Sequence, residues 1–244
     1  MTAAMRPALV AALLASLVAG CYNDPPAMQG TRFDLGGPRE GIDPRILRAN
    51  PSMVVAAELA FARMAQEKGQ WTAFAEYATE DAVMFVPEAV NARTWLKGRA
   101  NPPQAVRWQP HQVWSSCDGS LSVTRGAWQR ADGSVGYFTT VWQRQDDGKF
   151  RWILDQGDTL AEPLVAPELI DAKAAECPNP VQQDVVIVDP PQCTAQGCSG
   201  GGRSGDDTLE FRYDTRPGGG RTTRVLMRTG GKMEEVLRSE VAAQ

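Results

Sequence analysis

Between Val54 and Pro87 the chain reads VVAAELAFARMAQEKGQWTAFAEYATEDAVMFVP, with apolar positions at helical spacing that give way to a short extended run. Asn50-Pro51 supplies an N-cap followed by proline at the first helical position, so a helix is predicted from there to about Lys68. Val55, Leu59 and Ala62 fall on one face, with Val54 and Phe61 flanking it, and Gly69 fits the stop. Trp71, Phe74 and Tyr77 recur at a three-residue spacing on a second helix, a stripe that reads as core rather than a cofactor site. Ala82 to Val86 is a predicted strand. Asn91 can cap a short helix through Lys97, ended by Gly98.

From Ala105 the period changes to two. Ala105 to Ser115, Ser120 to Arg130, Val135 to Arg144 and Phe150 to Gly157 read as four strands. ADGS and QDDGK join the last three, with glycine where a hairpin needs positive φ. Helices followed by consecutive hairpins indicate an α+β fold with an antiparallel meander. Residues 163–205 shift to Pro, Gly and Ser and read as a linker or loosely packed arm. In residues 206–244, Thr208 to Tyr213, Arg221 to Arg228 and Lys232 to Arg238 read as a second, C-terminal β-meander with turns PGGG and TGG. Its spacing resembles the first meander, as a duplication would. Three strands alone make a marginal unit, so it is expected to dock on the main domain.

The 244 residues carry a formal net charge of -4 with scattered basic residues and a single histidine. Nucleic acid is not an expected partner, metal chemistry is limited, and no cofactor is expected. Residues 1–20 have a positive Arg6, an apolar run from Ala8 to Ala19 too short to span a bilayer, and end in L-V-A-G ahead of Cys21. This resembles a bacterial lipoprotein signal, which implies lipidation of Cys21 and attachment to the membrane through that anchor. An ordinary cleaved signal is the alternative. Tyr22 stands where an aspartate would mark inner-membrane retention in such lipoproteins, so the resemblance implies the outer membrane, facing the periplasm. Residues 21–50, rich in Pro and Gly, read as a tether, with a helical turn near Pro44 to Arg48.

Of the 5 cysteines, four remain after Cys21, and an oxidising compartment favours pairing them. Three connectivities exist. Cys193–Cys198 and Cys117–Cys177 are preferred, the first within its Pro/Gly loop and the second pinning the arm to the meander. Cys193 and Cys198 lack a second pair at zinc-ligand spacing. SGGGRSG precedes a strand and lacks a phosphate-loop lysine.

The order helix, helix, strand, short helix, curved meander resembles the cone fold of the ketosteroid-isomerase-like superfamily, with nuclear transport factor two and SnoaL-like cyclases. ARMAQEKGQWTAFAEYATEDAVMFVP carries the likeness at the N-terminal side and WQRQDDGKFRWILDQGD at the last hairpin, so it covers about residues 51–162 and is nearest the branch without assigned function. It implies a curved antiparallel sheet wrapping the long N-terminal helix around a cone-shaped pocket. The isomerase uses a helix tyrosine, an aspartate base before the proline and a second, protonated aspartate. Those positions fall near Ala62, at Val86 and at about Thr140. None titrates, so the usual isomerase chemistry is excluded.

The same alignment implies a pocket face made of Phe138, Thr140, Trp142, Ile153 and Asp155. A carboxylate there would be desolvated and its pKa raised, or else be paired with an arginine or hydrogen-bonded at the cone mouth. Asp155 is thus the candidate acid or base, with His111 on the first long strand as a second candidate. A lone histidine is more often a plain hydrogen-bonding residue, and a Cys117–His111 nucleophile pair competes with disulfide formation. Three readings stay open: a domain binding a small apolar ligand or a protein partner, an enzyme using Asp155, and a structural envelope protein with a filled cone. The balance is against an enzyme, and a homodimer is left open.

Overall fold

The structure, a computed structural model, describes residues 49–178 and 185–243. The leader, Cys21, the tether up to position 48 and the turn expected near Pro44 to Arg48 lie outside the described residues.

Two helices come first, α1 (Pro51–Lys68) and α2 (Gln70–Tyr77). Gly69 separates them at φ +102°, and a Cβ there would lie 2.3 Å from the Asn101 side chain. Asn101 occupies that space because it caps α2 from a distance. Its Oδ1 accepts from the amides of Trp71 at 2.7 Å and Thr72 at 3.1 Å, two of the donors a helix start leaves open. Asn50, the expected cap of α1, makes no side-chain capping bond. Only its carbonyl takes part, accepting from the Met53 amide at 3.0 Å. The buried stripe of α1 is Val54, Glu58, Phe61 and Ala65, whereas Leu59 is exposed. The face expected from Val55, Leu59 and Ala62 is therefore turned by about one residue, because a carboxylate occupies a core position.

β1 (Ala78–Phe85), β2 (Ala89–Asn91), α3 (Ala92–Leu96), β3 (Arg107–Ser115), β4 (Leu121–Gln129), β5 (Val135–Arg144), β6 (Phe150–Leu160) and β7 (Asp171–Ala174) follow. Asn91 caps α3 as expected, its side chain accepting from Thr94 N at 2.8 Å. The seven strands form one curved sheet in the order β2-β1-β6-β5-β4-β3-β7. The meander pairings are antiparallel, while β1 with β6 and β3 with β7 are parallel. α1 and α2 pack on one face, where Phe61, Trp142, Trp152, Ala82 and Met84 share a core. This is an α+β cone: a long helix wrapped by a bent sheet.

The opposite face is covered by a second sheet. β8 (Ile187–Thr194), β9 (Gly197–Arg203), β10 (Leu209–Thr215), β11 (Arg221–Thr229) and β12 (Lys232–Val241) pair antiparallel in the order β12-β11-β10-β9-β8. Leu121, Val123, Val141 and Leu154 of the first sheet meet Leu209, Phe211, Val225 and Met227 of the second. Both faces of the central strands are thus buried, as in β5. The C-terminal strands dock as expected. The stretch expected to be a linker or arm is strand-bearing: it holds β7, β8 and β9, whose Pro and Gly content hides pairing made at sheet edges and in Gly200 to Gly202.

The two sheets share one turn sequence. Ser116-Cys117-Asp118-Gly119-Ser120-Leu121 and Ser204-Gly205-Asp206-Asp207-Thr208-Leu209 both run S-x-D-x-S/T-L. In each, the first serine amide donates to the leucine carbonyl at 2.9 Å and its hydroxyl donates to the aspartate Oδ1, at 2.5 and 2.6 Å. Gly119 at φ +68° and Asp207 at φ +54° hold the matching left-handed position. The turns dock on each other, Asp118 N donating to Asp206 Oδ2 and Cys117 N to Thr208 Oγ1, both at 2.8 Å.

Both preferred disulfides are formed. Cys193–Cys198 closes the β8–β9 hairpin, and Cys117–Cys177 ties the first S-x-D turn to the segment after β7 across 60 residues. Closing a loop of that length removes unfolded-state freedom. Replacing Cys117 and Cys177 by alanine should lower the unfolding free energy by roughly 3 kcal/mol. The five-residue Cys193–Cys198 closure should contribute much less. Urea titrations of the two double variants check the order.

Candidate ligand cavity

Inside the cone a cavity of about 340 Å³ stays open. Phe61 from α1, Gln70, Trp71 and Phe74 from α2, Met84 and Phe85 from β1, and Trp108, Trp128 and Phe138 from the meander form most of its wall. The aromatic stripe of α2 is therefore core on one side and cavity wall on the other, with Phe74 4.9 Å from the Phe61 ring and 6.0 Å from that of Trp108. Asp155, Gln156 and Asp158 of β6 add polar groups, and Arg130 stands at the mouth with its guanidinium 4.3 Å from the Trp128 ring. The second sheet completes the wall with Gly218, Gly219, Arg221 and Val241.

Of the five expected pocket residues, Phe138 and Asp155 line this cavity. Thr140 and Trp142 face the same way from β5 but lie deeper and fully buried. Ile153 does not join them. Val141 pairs with Leu154 but Trp142 pairs with Trp152, so Ile153 is the extra residue of a bulge in β6. A bulge breaks the two-residue alternation. Trp152 and Asp155 face the helices, while Ile153 and Leu154 face the second sheet and line a separate groove of about 700 Å³ between the sheets.

Asp155 Oδ2 accepts from Thr140 Oγ1 at 2.7 Å. No arginine or lysine among the described residues lies within ion-pair distance of it. Burial pushes its pKa up to about 7, the Thr140 hydrogen bond opposing, the Glu58 charge adding and the Arg221 charge subtracting.

Glu58 was not singled out in the sequence. It is fully buried beneath the cavity floor and is the acceptor of three donors: Trp108 Nε1 to Oε1 at 2.7 Å, and Thr124 Oγ1 at 2.6 Å and Trp142 Nε1 at 2.9 Å to Oε2. Burial raises its pKa, and these three hydrogen bonds oppose that rise. The polar chain continues, with Thr124 Oγ1 3.4 Å from the Thr140 carbonyl. The fold thus places two carboxyls in one cone, linked through Thr124 and Thr140.

His111 lies elsewhere. It occupies the bulge between Pro110 and Gln112 on β3, buried, and does not line the cavity. Burial lowers its pKa, and its Nε2 has no hydrogen-bond partner among the described residues. Cys117 is spent in its disulfide, so no Cys117–His111 nucleophile exists. Among the described residues no group of three or more His, Cys, Asp or Glu could hold a metal ion. Of the three positions expected for isomerase residues, Val86 lines the cavity and Thr140 serves as a donor to Asp155. The acid of the long helix is Glu58, four residues before Ala62.

No family model matches the chain, and no curated protein matches it. Solved structures do. A protein from Parabacteroides distasonis assigned as a ketosteroid isomerase shares 16% identity over 47% of this chain and 96% of its own, with a TM-score of 0.38. Nuclear transport factor 2 from Cryptosporidium parvum shares 12% over 47% and 99%, TM-score 0.33. An NTF2-like protein of unknown function from Mesorhizobium loti shares 16% over 47% and 100%, TM-score 0.28. The structures this chain is similar to are thus ketosteroid-isomerase-like and NTF2-like, and the likeness is one of fold alone.

Proposed function

We propose that this protein is a cell-envelope lipoprotein, anchored through Cys21 and facing the periplasm from the outer membrane, whose cone binds a small, largely apolar ligand. The observation that carries the binding half is the open cavity of about 340 Å³ walled by aromatic side chains with a few convergent polar groups. Such a volume and such a wall are those of small-molecule sites, about 300–1,000 Å³. It also argues against a cone filled by its own side chains, and for a small molecule over a protein partner. Native mass spectrometry of the full chain purified from its own membrane, released step by step from detergent, should show a bound small molecule that Phe138→Arg removes. A folded wild type that carries none and takes up no apolar probe would sink the reading.

The address half rests on the L-V-A-G-C run at Leu17 to Cys21. Among the described residues no helix is long and apolar enough to cross a membrane. Cys21→Ser should move the protein from the membrane to the soluble fraction and abolish lipid labelling. Unchanged fractionation together with an unmodified wild-type N-terminal peptide would refute it.

A second reading is favoured by one observation. Asp155, in the cavity, titrates at about 7, where a carboxyl can both take and give a proton. In that reading Asp155 shuttles a proton at the bound ligand. Glu58, saturated with donors, positions the floor rather than reacting. Loss of turnover in Asp155→Asn with retained ligand affinity would support it, whereas a bound ligand recovered chemically unchanged from the wild type would leave binding alone.

A further inference from the structure

We infer that Arg221, delivered by the second sheet, makes the cone a receptor for small organic acids, with the ligand carboxylate on the Arg221 guanidinium and its flat apolar body among the aromatic walls. The inference rests on the reading of the cavity as a ligand site and specifies its ligand class.

Arg221 opens β11 and is only 6% exposed, yet it lines the cavity. Its Nε donates to Gln156 Oε1 at 3.2 Å, one terminal nitrogen to the Gly219 carbonyl at 3.3 Å, and the other to the Gly157 carbonyl. A guanidinium has five N–H donors, so two remain after these. All three acceptors are neutral, and no carboxylate among the described residues lies within ion-pair distance. A buried cation held only by neutral oxygens is costly, and a carboxylate accepting from the donors left over would supply the missing counter-charge. The Phe85 ring lies 4.9 Å from the guanidinium carbon. Trp71, Phe74, Trp108 and Phe138 line the same cavity.

The charges around the site decide when an anion can enter. Asp155 is faced by Glu58 from α1 through Thr124 and Thr140, and by Arg221 from β11, with Asp158 and Arg130 nearer the mouth. α2 and β1 contribute only uncharged side chains to the wall. A carboxylate on Arg221 meets least repulsion while Asp155 holds its proton, which it does below about 7. Binding of the acid should therefore take up a proton and weaken above that pH.

The test uses the full chain in detergent, isothermal titration calorimetry, and two probes of one shape: a naphthalene carboxylate and its uncharged carboxamide. At about pH 6 the carboxylate should bind on the order of tenfold more tightly than the amide, and the advantage should shrink at about pH 8. Arg221→Gln should abolish the advantage, the carboxylate losing far more affinity than the amide, and Arg221→Lys should restore part of it. Asp155→Asn should keep the preference for the acid and remove its pH dependence. Equal binding of both probes to the wild type, a comparison that needs no variant to fold, overturns the proposal and leaves the cavity reading standing. A preference that survives Arg221→Gln also overturns it. Failure of both probes to bind overturns the cavity reading and the proposal together.

Discussion

Glu58→Ala should lower the unfolding free energy by about 3 kcal/mol or more, a loss of the size expected for a buried core residue rather than a surface acid. The carboxylate satisfies three donors in a place with no exposure. Without it, the Trp142 indole keeps Thr124 Oγ1 at 3.0 Å and Thr124 keeps the Thr140 carbonyl, but Trp108 Nε1 is left with no acceptor. Each buried donor without a partner costs about 1–3 kcal/mol, and the vacated volume adds a packing loss. Removal of the buried charge returns part of this. Glu58→Gln should cost less, about 1–2 kcal/mol, since one oxygen still accepts while the new NH₂ group faces an indole N–H. It should also lower the pH at which Asp155 titrates, because the Glu58 charge raises it. Leu59→Ala, one residue along and exposed, should change stability by less than about 0.5 kcal/mol. Urea unfolding of the three variants checks the order. Equal costs at Glu58 and Leu59 would place the buried stripe of α1 elsewhere.

The second large effect is on pH. The pKa of Asp155 rises on folding from 3.8 to about 7, so between those values the folded state holds a proton that the unfolded state has released. Stability contributed by this group is full below pH 3.8 and declines as pH rises to about 7. Asp155→Asn should therefore be neutral in acid and stabilising at neutral pH and above. The shift corresponds to at most about 4 kcal/mol, reduced by the cavity's access to solvent. Other carboxyls also contribute to the pH profile, Glu58 and Asp118 with raised pKa values and Asp132, Asp147 and Glu176 with lowered ones. The informative quantity is the difference between wild type and variant at about pH 5 and about pH 8. A variant that is less stable than wild type at the higher pH would show that Asp155 is paired and ionised.

Much of the fold was legible because period and punctuation agreed. Gly69, Asn91 and the ADGS and QDDGK turns each mark an element end that the structure keeps. The disulfide pairing is one of three that four cysteines allow, and the preferred one, a bridge within the Pro/Gly loop and one from the arm to the meander, is the one formed. Three features were not legible, each for a stated reason. Glu58 sits at the i, i+4, i+7 spacing of Val54 and Phe61, but a charged residue fails a hydrophobic template, so the face was assigned to Leu59. Heeding the spacing of Val54, Phe61 and Ala65 alone would have found it. The resemblance puts Ile153 on the same side as Asp155, and no residue type announces the bulge that turns it away. Arg221 belongs to a segment outside the likeness to known domains, and only sheet-on-sheet packing brings it to the cone.

The outer strands of the two sheets carry a consequence for self-association. β2 is three residues long and β7 four. β8 holds Pro190 and Pro191, which have no amide to offer, and β12 presents Lys232, Glu234, Glu235, Arg238 and Glu240. The terminal strands of both sheets, among the described residues, are thus too short, too poor in donors or too charged to be good templates for a strand from another molecule. Folded copies crowded side by side are therefore offered little of the backbone template on which amyloid-like stacking begins. Association between folded copies is then left chiefly to side-chain surfaces.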